Sequence, residues 1–299
     1  MFKQACRKAT SYTFPLIILA RMADEFDGDY EVVSGVGALV LLNEKGWFVT
    51  AFHQIRDYQG LVKAHKEWGE FNSKLNDLRD GPVSQKGKVK NLLRQAQKRT
   101  HPWVSDLNII FGWPDAQVQE TRNFPKADLS IGQITNFDPE QVDQHPKIAQ
   151  PQDDMNIGTS LCKLGYPFSD LDVSFDENTG QFQVGPPPPF FPIEGIYSRN
   201  VLTESDGDPA AGPPFEVKFI ETSRPGLKGQ SGGPIFDTEG NLWAIQSNTG
   251  HYPLGFDEEI QHGGKQRTTE NAFLHSGRGV HYDTITSALD EEGVSYFTA

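Results

Sequence analysis

Residues 35–53 read GVGALVLLNEKGWFVTAFH. Two apolar runs rich in valine, leucine and aromatic residues flank the polar tetrad Asn43-Glu44-Lys45-Gly46, and such runs around a glycine-containing turn form the pattern of a β-hairpin. The pattern reaches back to Val32 and ends at Phe52, directly before His53. A loop residue just beyond a core strand is well placed for chemistry, because the strand fixes its backbone and the loop leaves the side chain free. Short strands, tight turns and functional groups at strand ends are therefore the expectation for the whole chain.

The rest of the sequence follows this lead. A chain of 299 residues buries a sizeable core as one large domain or two smaller ones. Its 20 Pro, 29 Gly and 20 Phe, with few long helical patterns, point to a mainly β protein. Further strand patterns are FPLIILA (14–20), DLNIIFGW (106–113), ADLSIGQI (127–134), SLCKLGYPF (160–168), EGIYSRNVL (194–202) and FEVKFIET (215–222). IFDTEGNLWAIQS (235–247) is a second hairpin around Asp237-Thr238-Glu239-Gly240. PPPPFFP (186–192) is expected to be a stiff extended loop. A polar, proline-containing connection over 136–156 divides the chain into strand-rich halves, 10–145 and 146–299.

Two regions break the β pattern. In 61–100, Trp68, Phe71, Leu75 and Leu78, then Val89, Leu92, Leu93 and Ala96 after Gly81-Pro82, recur at helical spacing and predict two amphipathic helices. Near the C-terminus, Asp283 is the expected N-cap, Ile285, Ala288 and Leu289 form one helical face, and Gly293 is the stop.

The net charge of −13 argues against wholesale binding to nucleic acid or an anionic membrane. Yet 61–100 holds ten Lys/Arg against four Asp/Glu, a basic appendage of +6 on a body of −19. A solvated helical hairpin is one reading of it; a docking surface for a regulatory partner is the other. Cys6 and Cys162 form no metal-like spacing, and so few cysteines suit a reducing compartment, so a cytoplasmic location is expected, with secretion the alternative. Lys3, Arg7 and Lys8 before FPLIILA resemble an export leader, but Pro15 and Arg21 interrupt it and no Ala-x-Ala-like site follows. No run approaches the ~18 apolar residues of a membrane span.

The second decisive stretch is GLKGQSGGPIFDTEG (226–240), with Ser231 among glycines. A serine hydroxyl needs a base, an orienter for that base and donors for the oxyanion that forms. Glycines at 229, 232 and 233 permit backbone conformations that leave N–H groups facing open space. Of eight histidines, His53 alone directly follows a strongly patterned hairpin; His65, His101, His145, His251, His262 and His275 read as solvated or core residues. The orienter should be an aspartate at the start of a buried strand, and Asp106 in SDLNII and Asp128 in ADLSIG share that pattern.

TAFH, ADLSIGQI and GQSGGP, in the order His, Asp, Ser, resemble the chymotrypsin-like serine peptidases. GVGALVLLNEKGWFVTAFH, LGYPF, EGIYSR and GRGVH (277–281) resemble the bacterial branch that includes the heat-shock peptidases. The resemblance spans about 12–294 in outline, leaving 61–126 and 251–276 unmatched. It implies two six-stranded antiparallel β-barrels with the site in the cleft between them; the helical insertion at 61–100 is not explained by it, and GRGVH precedes the C-terminal helix. It further implies a triad of His53, Asp128 and Ser231, with Asp106 the alternative aspartate. The N–H groups of Gly229 and Ser231 form the implied oxyanion hole, and Pro225, Ser247 and Thr249 are candidate substrate-binding residues. Ser247 matches a position that lines the substrate channel and bonds the buried aspartate.

Peptidases of this type that cleave after Arg or Lys carry an aspartate six residues before the serine, where this chain has Pro225, so nothing points to a basic preference. No Ile-Val-Gly-Gly-like start is present, which disfavours activation by propeptide cleavage and favours a rearrangement of 223–230 or a partner. The implied activity is a serine endopeptidase acting on proteins or peptides through an acyl-enzyme, with no metal or organic cofactor. A silent protease-like binding module, a protease inactive without its partner, and an esterase with the same triad are the alternatives. The esterase is disfavoured because Ser231 is not set in Gly-x-Ser-x-Gly between alternating strands and helices.

Overall fold

The computed structural model describes residues 1–80, 85–113, 115–150, 156–168, 171–202, 215–262 and 266–299. In the first half a short helix α1 (Lys3–Tyr12) leads into β1 (Thr13–Ala23), β2 (Glu31–Leu41) and β3 (Trp47–Ala51). Two helices, α2 (Phe52–Arg79) and α3 (Lys86–Ala96), precede β4 (Trp103–Phe111), β5 (Gln117–Phe124) and β6 (Leu129–Thr135). These six strands form one antiparallel sheet in the order β4-β1-β2-β3-β6-β5.

The second half holds β7 (Lys147–Ile148), β8 (Ser160–Lys163), β9 (Val173–Asp176), β10 (Gln181–Val184), β11 (Ile193–Leu202) and β12 (Lys218–Thr222). It continues with β13 (Pro234–Phe236), β14 (Leu242–His262), β15 (Gln266–His281), α4 (Tyr282–Glu291) and β16 (Phe297–Thr298). Strands β13-β8-β11-β12-β15-β14 form a row that the β13–β14 pairing closes into a six-stranded barrel, while β9 and β10 stand apart as a hairpin.

The mainly β expectation holds, with one difference in the first half: among the described residues no pairing joins β4 to β5, so that sheet is a half-barrel. Helix α2 packs beside β4 and contributes Ile55 to the first sheet's core with Leu16, Phe48 and Phe111. A second core runs through both sheets, from Val40, Val49 and Leu129 to Ile235, Trp243 and Leu289. Burying an aliphatic or aromatic side chain contributes about 1.5–3 kcal/mol, so this shared core fixes the two sheets against each other.

The opening hairpin forms as its sequence dictates. Gly46 has φ 82°, and a Cβ there would lie 2.1 Å from the Ile134 carbonyl oxygen, so only glycine fits the turn. Three elements depart from the sequence reading. Helix α1 buries Ala5, Ala9 and Tyr12 along one face, with Tyr12 Oη donating to the Gly240 carbonyl at 3.2 Å. The terminal helix is capped by His281 rather than Asp283: His281 Nδ1 accepts the Asp283 N–H at 3.0 Å. The β14–β15 hairpin extends well past Gln246, over residues that the sequence left unassigned.

The basic segment is helical, but its first helix starts at Phe52, without a loop after β3. Leu75 is fully buried, Trp68 Nε1 donates to Tyr30 Oη at 3.0 Å, and Phe71 packs on Phe26 and Trp103. The Gly81-Pro82 break lies outside the described residues.

Candidate active site

His53 stands in the first turn of α2 rather than on a loop. The helix has no acidic residue in its first turn and no cap from its own preceding residue. Asp128, from the turn before β6, supplies both: its carbonyl accepts the Phe52 N–H at 3.0 Å and its Oδ1 accepts the His53 N–H at 2.9 Å. A carboxylate at a helix N-terminus satisfies orphan donors and meets the positive end of the helix dipole. Asp128 reaches this position from a left-handed backbone conformation, φ 48°, at the end of the 3-10 turn Pro125–Ala127.

The same carboxylate holds the imidazole. His53 Nδ1 lies 2.9 Å from Asp128 Oδ2 and 3.1 Å from Oδ1. Ser247 Oγ donates to Oδ2 at 2.5 Å. Burial works to raise the Asp128 pKa; the hydrogen bond and charge of His53, the Ser247 hydroxyl and the His53 N–H outweigh it and leave the carboxyl below its ordinary value. An ionised Asp128 fixes the proton of a neutral His53 on Nδ1 and leaves Nε2 as the acceptor. Asp106 is elsewhere, with its carboxylate 3.7 Å from Arg21 and accepting from Ser105 Oγ at 2.7 Å.

Ser231 faces the same cleft as His53, a space of about 380 Å³ also lined by Ile18, Val36, Leu61 and Lys228. Its carbonyl accepts the Ala38 N–H at 2.8 Å, tying the serine loop of the second sheet to β2 of the first. Ser231 Oγ donates to the Ser247 carbonyl at 3.4 Å, and no hydrogen bond joins it to His53. At His53 Nε2 the neighbour is Gln54, whose Nε2 donates at 3.4 Å. Gln54 folds back over β2 into the space left by Gly37, where a Cβ would lie 2.5 Å from its Oε1. The sequence reading missed Gln54; its one signal was adjacency to the histidine.

The glycines of the serine loop are required by close approach. Gly229 has φ 94°, and a Cβ there would lie 2.4 Å from the Tyr166 carbonyl oxygen. Gly232 has φ 81° and faces the Ala38 carbonyl oxygen at 2.0 Å from its would-be Cβ. Among the described residues the N–H groups of Gly229 and Ser231 have no acceptor, whereas the intervening Gln230 N–H bonds the Leu227 carbonyl at 2.9 Å. Thr249 Oγ1 accepts the Gly226 N–H at 3.1 Å and donates to its carbonyl at 2.9 Å, so it braces the loop, with half-buried Pro225 just before the brace.

A second space of about 480 Å³ shares Ser34, Gly35, Val36, Lys228 and Gly229 with the first and runs on to Tyr166 and Phe168. Phe168 is 77 % exposed and packs edge-on against Phe191 of the proline-rich loop. A further space, about 700 Å³ between α2, β4 and β5, is lined by Tyr58, Phe111 and Val118 and does not include His53 or Ser231.

No family model and no curated protein sequence matches the chain. Among the solved structures to which it is similar are proteases. One is the Rv3671c protease from M. tuberculosis in its active form, at 11 % identity over 99 % of this chain and 86 % of that one, with a TM-score of 0.46. An inactive form of Rv3671c from M. tuberculosis H37Rv gives 10 % identity over 97 % and 90 %, with a TM-score of 0.45. The HtrA-type protease AlgW with a tripeptide gives 13 % identity over 98 % of this chain and 65 % of that chain, with a TM-score of 0.42.

Proposed function

We propose that the chain is a serine endopeptidase that cleaves protein or peptide substrates through an acyl-enzyme. The observation that carries this reading is the Asp128 carboxylate, which holds His53 Nδ1 at 2.9 Å in a cleft shared with Ser231. In the proposed mechanism Ser231 Oγ attacks the scissile carbonyl as His53 Nε2 takes its proton; His53 then returns that proton to the leaving amine. Asp128 stabilises the imidazolium in between, and the unpaired N–H groups of Gly229 and Ser231 receive the oxyanion. Water then attacks the acyl carbon as His53 Nε2 takes its proton, and His53 returns that proton to Ser231 Oγ as the carboxylic acid product leaves. Apolar cleft walls at Ile18, Val36 and Phe168 suit an extended peptide.

Labelling with a fluorophosphonate, compared between the native chain and Ser231→Ala, tests the reading. Covalent labelling confined to the native chain supports it; equal labelling of both, or no labelling of the native chain, rejects it.

One observation favours a second reading, in which the free chain rests in a form that substrate or a partner completes. His53 Nε2 is met by Gln54 rather than by Ser231. The basic surface of α2 and α3 is the proposed partner site, because α2 carries His53 in its first turn and a pull on that helix acts directly on the base. Deleting residues 85–98 removes α3 and leaves α2 in place; unchanged rates with and without acidic protein partners would exclude this reading.

A further inference from the structure

Lys163 ends β8 within the apolar run SLCKLG, and it is 1 % exposed. Its Nζ donates to the Arg224 carbonyl at 2.6 Å and forms no ion pair among the described residues. The ammonium fits only because residue 277 is glycine: a Cβ there would lie 1.8 Å from Nζ. Glu221 on β12 is already committed to Arg199 and Arg278, both at 2.7 Å. Burial pushes the Lys163 pKa down to about 7. A buried ammonium is costly unless paired, and it carries three donors, of which Lys163 uses one.

Gln246 on β14 gives an independent sign of an incomplete polar site. It is 1 % exposed; its Nε2 donates to the carbonyls of Asn248 at 3.0 Å and Arg278 at 3.1 Å, while its Oε1 is buried with no partner. A Cβ on Gly226 would lie 2.2 Å from Gln246 Nε2. Lys163 and Gln246 thus lie against neighbouring residues of the same two segments, 224–226 and 277–278. Gly226 belongs to the serine loop, Thr249 braces it, and the Ser247 carbonyl is 3.4 Å from Ser231 Oγ. Along the seam between 225–230 and the start of β14, these contacts join Ser231 to the residues that hold Lys163 and Gln246.

Resting on the protease reading, we propose that Lys163 selects substrates with Asp or Glu at the residue whose carbonyl is attacked. That side chain enters the seam, displaces the Gln246 amide and sets its carboxylate against the Lys163 ammonium. The substrate thereby supplies the counter-charge that the fold withholds, and pairing inside a low-dielectric site is strong when both ions keep hydrogen bonds. Pro225, between Arg224 and Gly226, brings no charge that would oppose an acidic side chain.

The test is hydrolysis of a peptide series varied only at that residue (Glu, Asp, Gln, Ala, Lys) by the full chain and by Lys163→Met. Methionine keeps the length and packing of the stem, and removing an unpaired buried charge does not endanger the fold. The native chain is expected to prefer Glu over Gln in kcat/KM by on the order of a hundredfold, as loss of a buried charge pair does elsewhere. Lys163→Met is expected to lose that preference and keep its rate on Ala. In parallel, product-like peptides ending in Glu or Gln are titrated against Ser231→Ala, with and without Lys163→Met. Tighter binding of the Glu peptide that depends on Lys163 is the expected result. An equal Glu-to-Gln ratio in the native chain and Lys163→Met, or no discrimination in product binding, overturns the inference. Fluorophosphonate labelling judges the protease reading separately, since the product-binding arm requires no turnover.

Discussion

Asp128→Asn removes one negative charge and preserves shape, which makes it the sharpest probe of the proposed proton path. Asp128 Oδ1 accepts the His53 N–H at 2.9 Å and Oδ2 accepts Ser247 Oγ at 2.5 Å, so an asparagine must turn its NH2 to one side or the other. Towards His53 the NH2 would oppose the backbone N–H, donor against donor. Towards Ser247 it meets a hydroxyl that can rotate to accept. In that orientation the remaining oxygen keeps the His53 N–H, while the NH2 stands at the Oδ2 position, 2.9 Å from Nδ1, and favours the tautomer with its proton on Nε2. The start of α2 is therefore retained, and the loss comes from the misplaced proton and the missing charge. Unit charges separated by 2.9 Å at an effective dielectric of ~20 attract by about 6 kcal/mol. The side chains of His53 and Asp128 are 26 % and 19 % exposed, so solvent screening reduces that figure. The expected fall in kcat/KM is roughly 10³- to 10⁴-fold, with Tm and circular dichroism near those of the native chain. The assay is hydrolysis of a fluorogenic peptide, with Asp106→Asn as the control expected to stay within about threefold. A fall below tenfold in a folded Asp128→Asn chain would falsify the assignment of His53 and Asp128 as a working pair.

Gly229→Ala places a Cβ against the Tyr166 carbonyl oxygen at a backbone angle of φ 94°. It should displace the N–H that receives the oxyanion and lower kcat by about 10²- to 10³-fold with little change in KM, measured by steady-state kinetics. Ser247→Ala removes the 2.5 Å donor to Asp128; a bond to a charged group contributes about 1.5–3 kcal/mol, so kcat should fall by roughly ten- to a hundredfold, and an unchanged kcat would show that His53 alone fixes the carboxylate. His281 is buried and neutral, with burial lowering its pKa to about 4, and it caps α4. Because the unfolded chain takes up this proton near pH 6.5 and the folded chain does not until about 4, stability should fall as pH drops through that window and be unaffected above it. His281→Asn keeps a capping side chain without the titration, so its Tm should exceed the native value at pH 5 and approach it at pH 8.

The parts of the molecule legible in the sequence were those set by local chemistry. The hairpin around Asn43 to Gly46 follows from strand periodicity and one glycine whose side chain would strike Ile134. The C-terminal helix announced itself by its apolar face, although its cap moved from Asp283 to His281, because an imidazole can accept where a carboxylate would usually be expected. Helix α1 was not legible: its buried face is built from small alanines whose burial depends on β13 and β14 lying across from it. Helix α2 was placed too late, because the stabilising cap of its first turn comes from Asp128, distant in sequence. Lys163 did leave a trace, a lysine inside an apolar strand, but its missing counter-ion appears only when β12 and β15 surround it.

The sequence by itself determined the kinds of element, the glycines that the turns demand and a short list of reactive groups in His53, Asp106, Asp128 and Ser231, since each depends on residues close along the chain. The choice of Asp128 over Asp106 as partner of His53, the donors left free at Gly229 and Ser231 among the described residues, the contact of His53 Nε2 with a Gln54 that lies over Gly37, and the open edge of the first sheet were decided by tertiary structure. They are distances between segments many residues apart, set by the core shared between the two sheets. Local spacing carries no information about such distances.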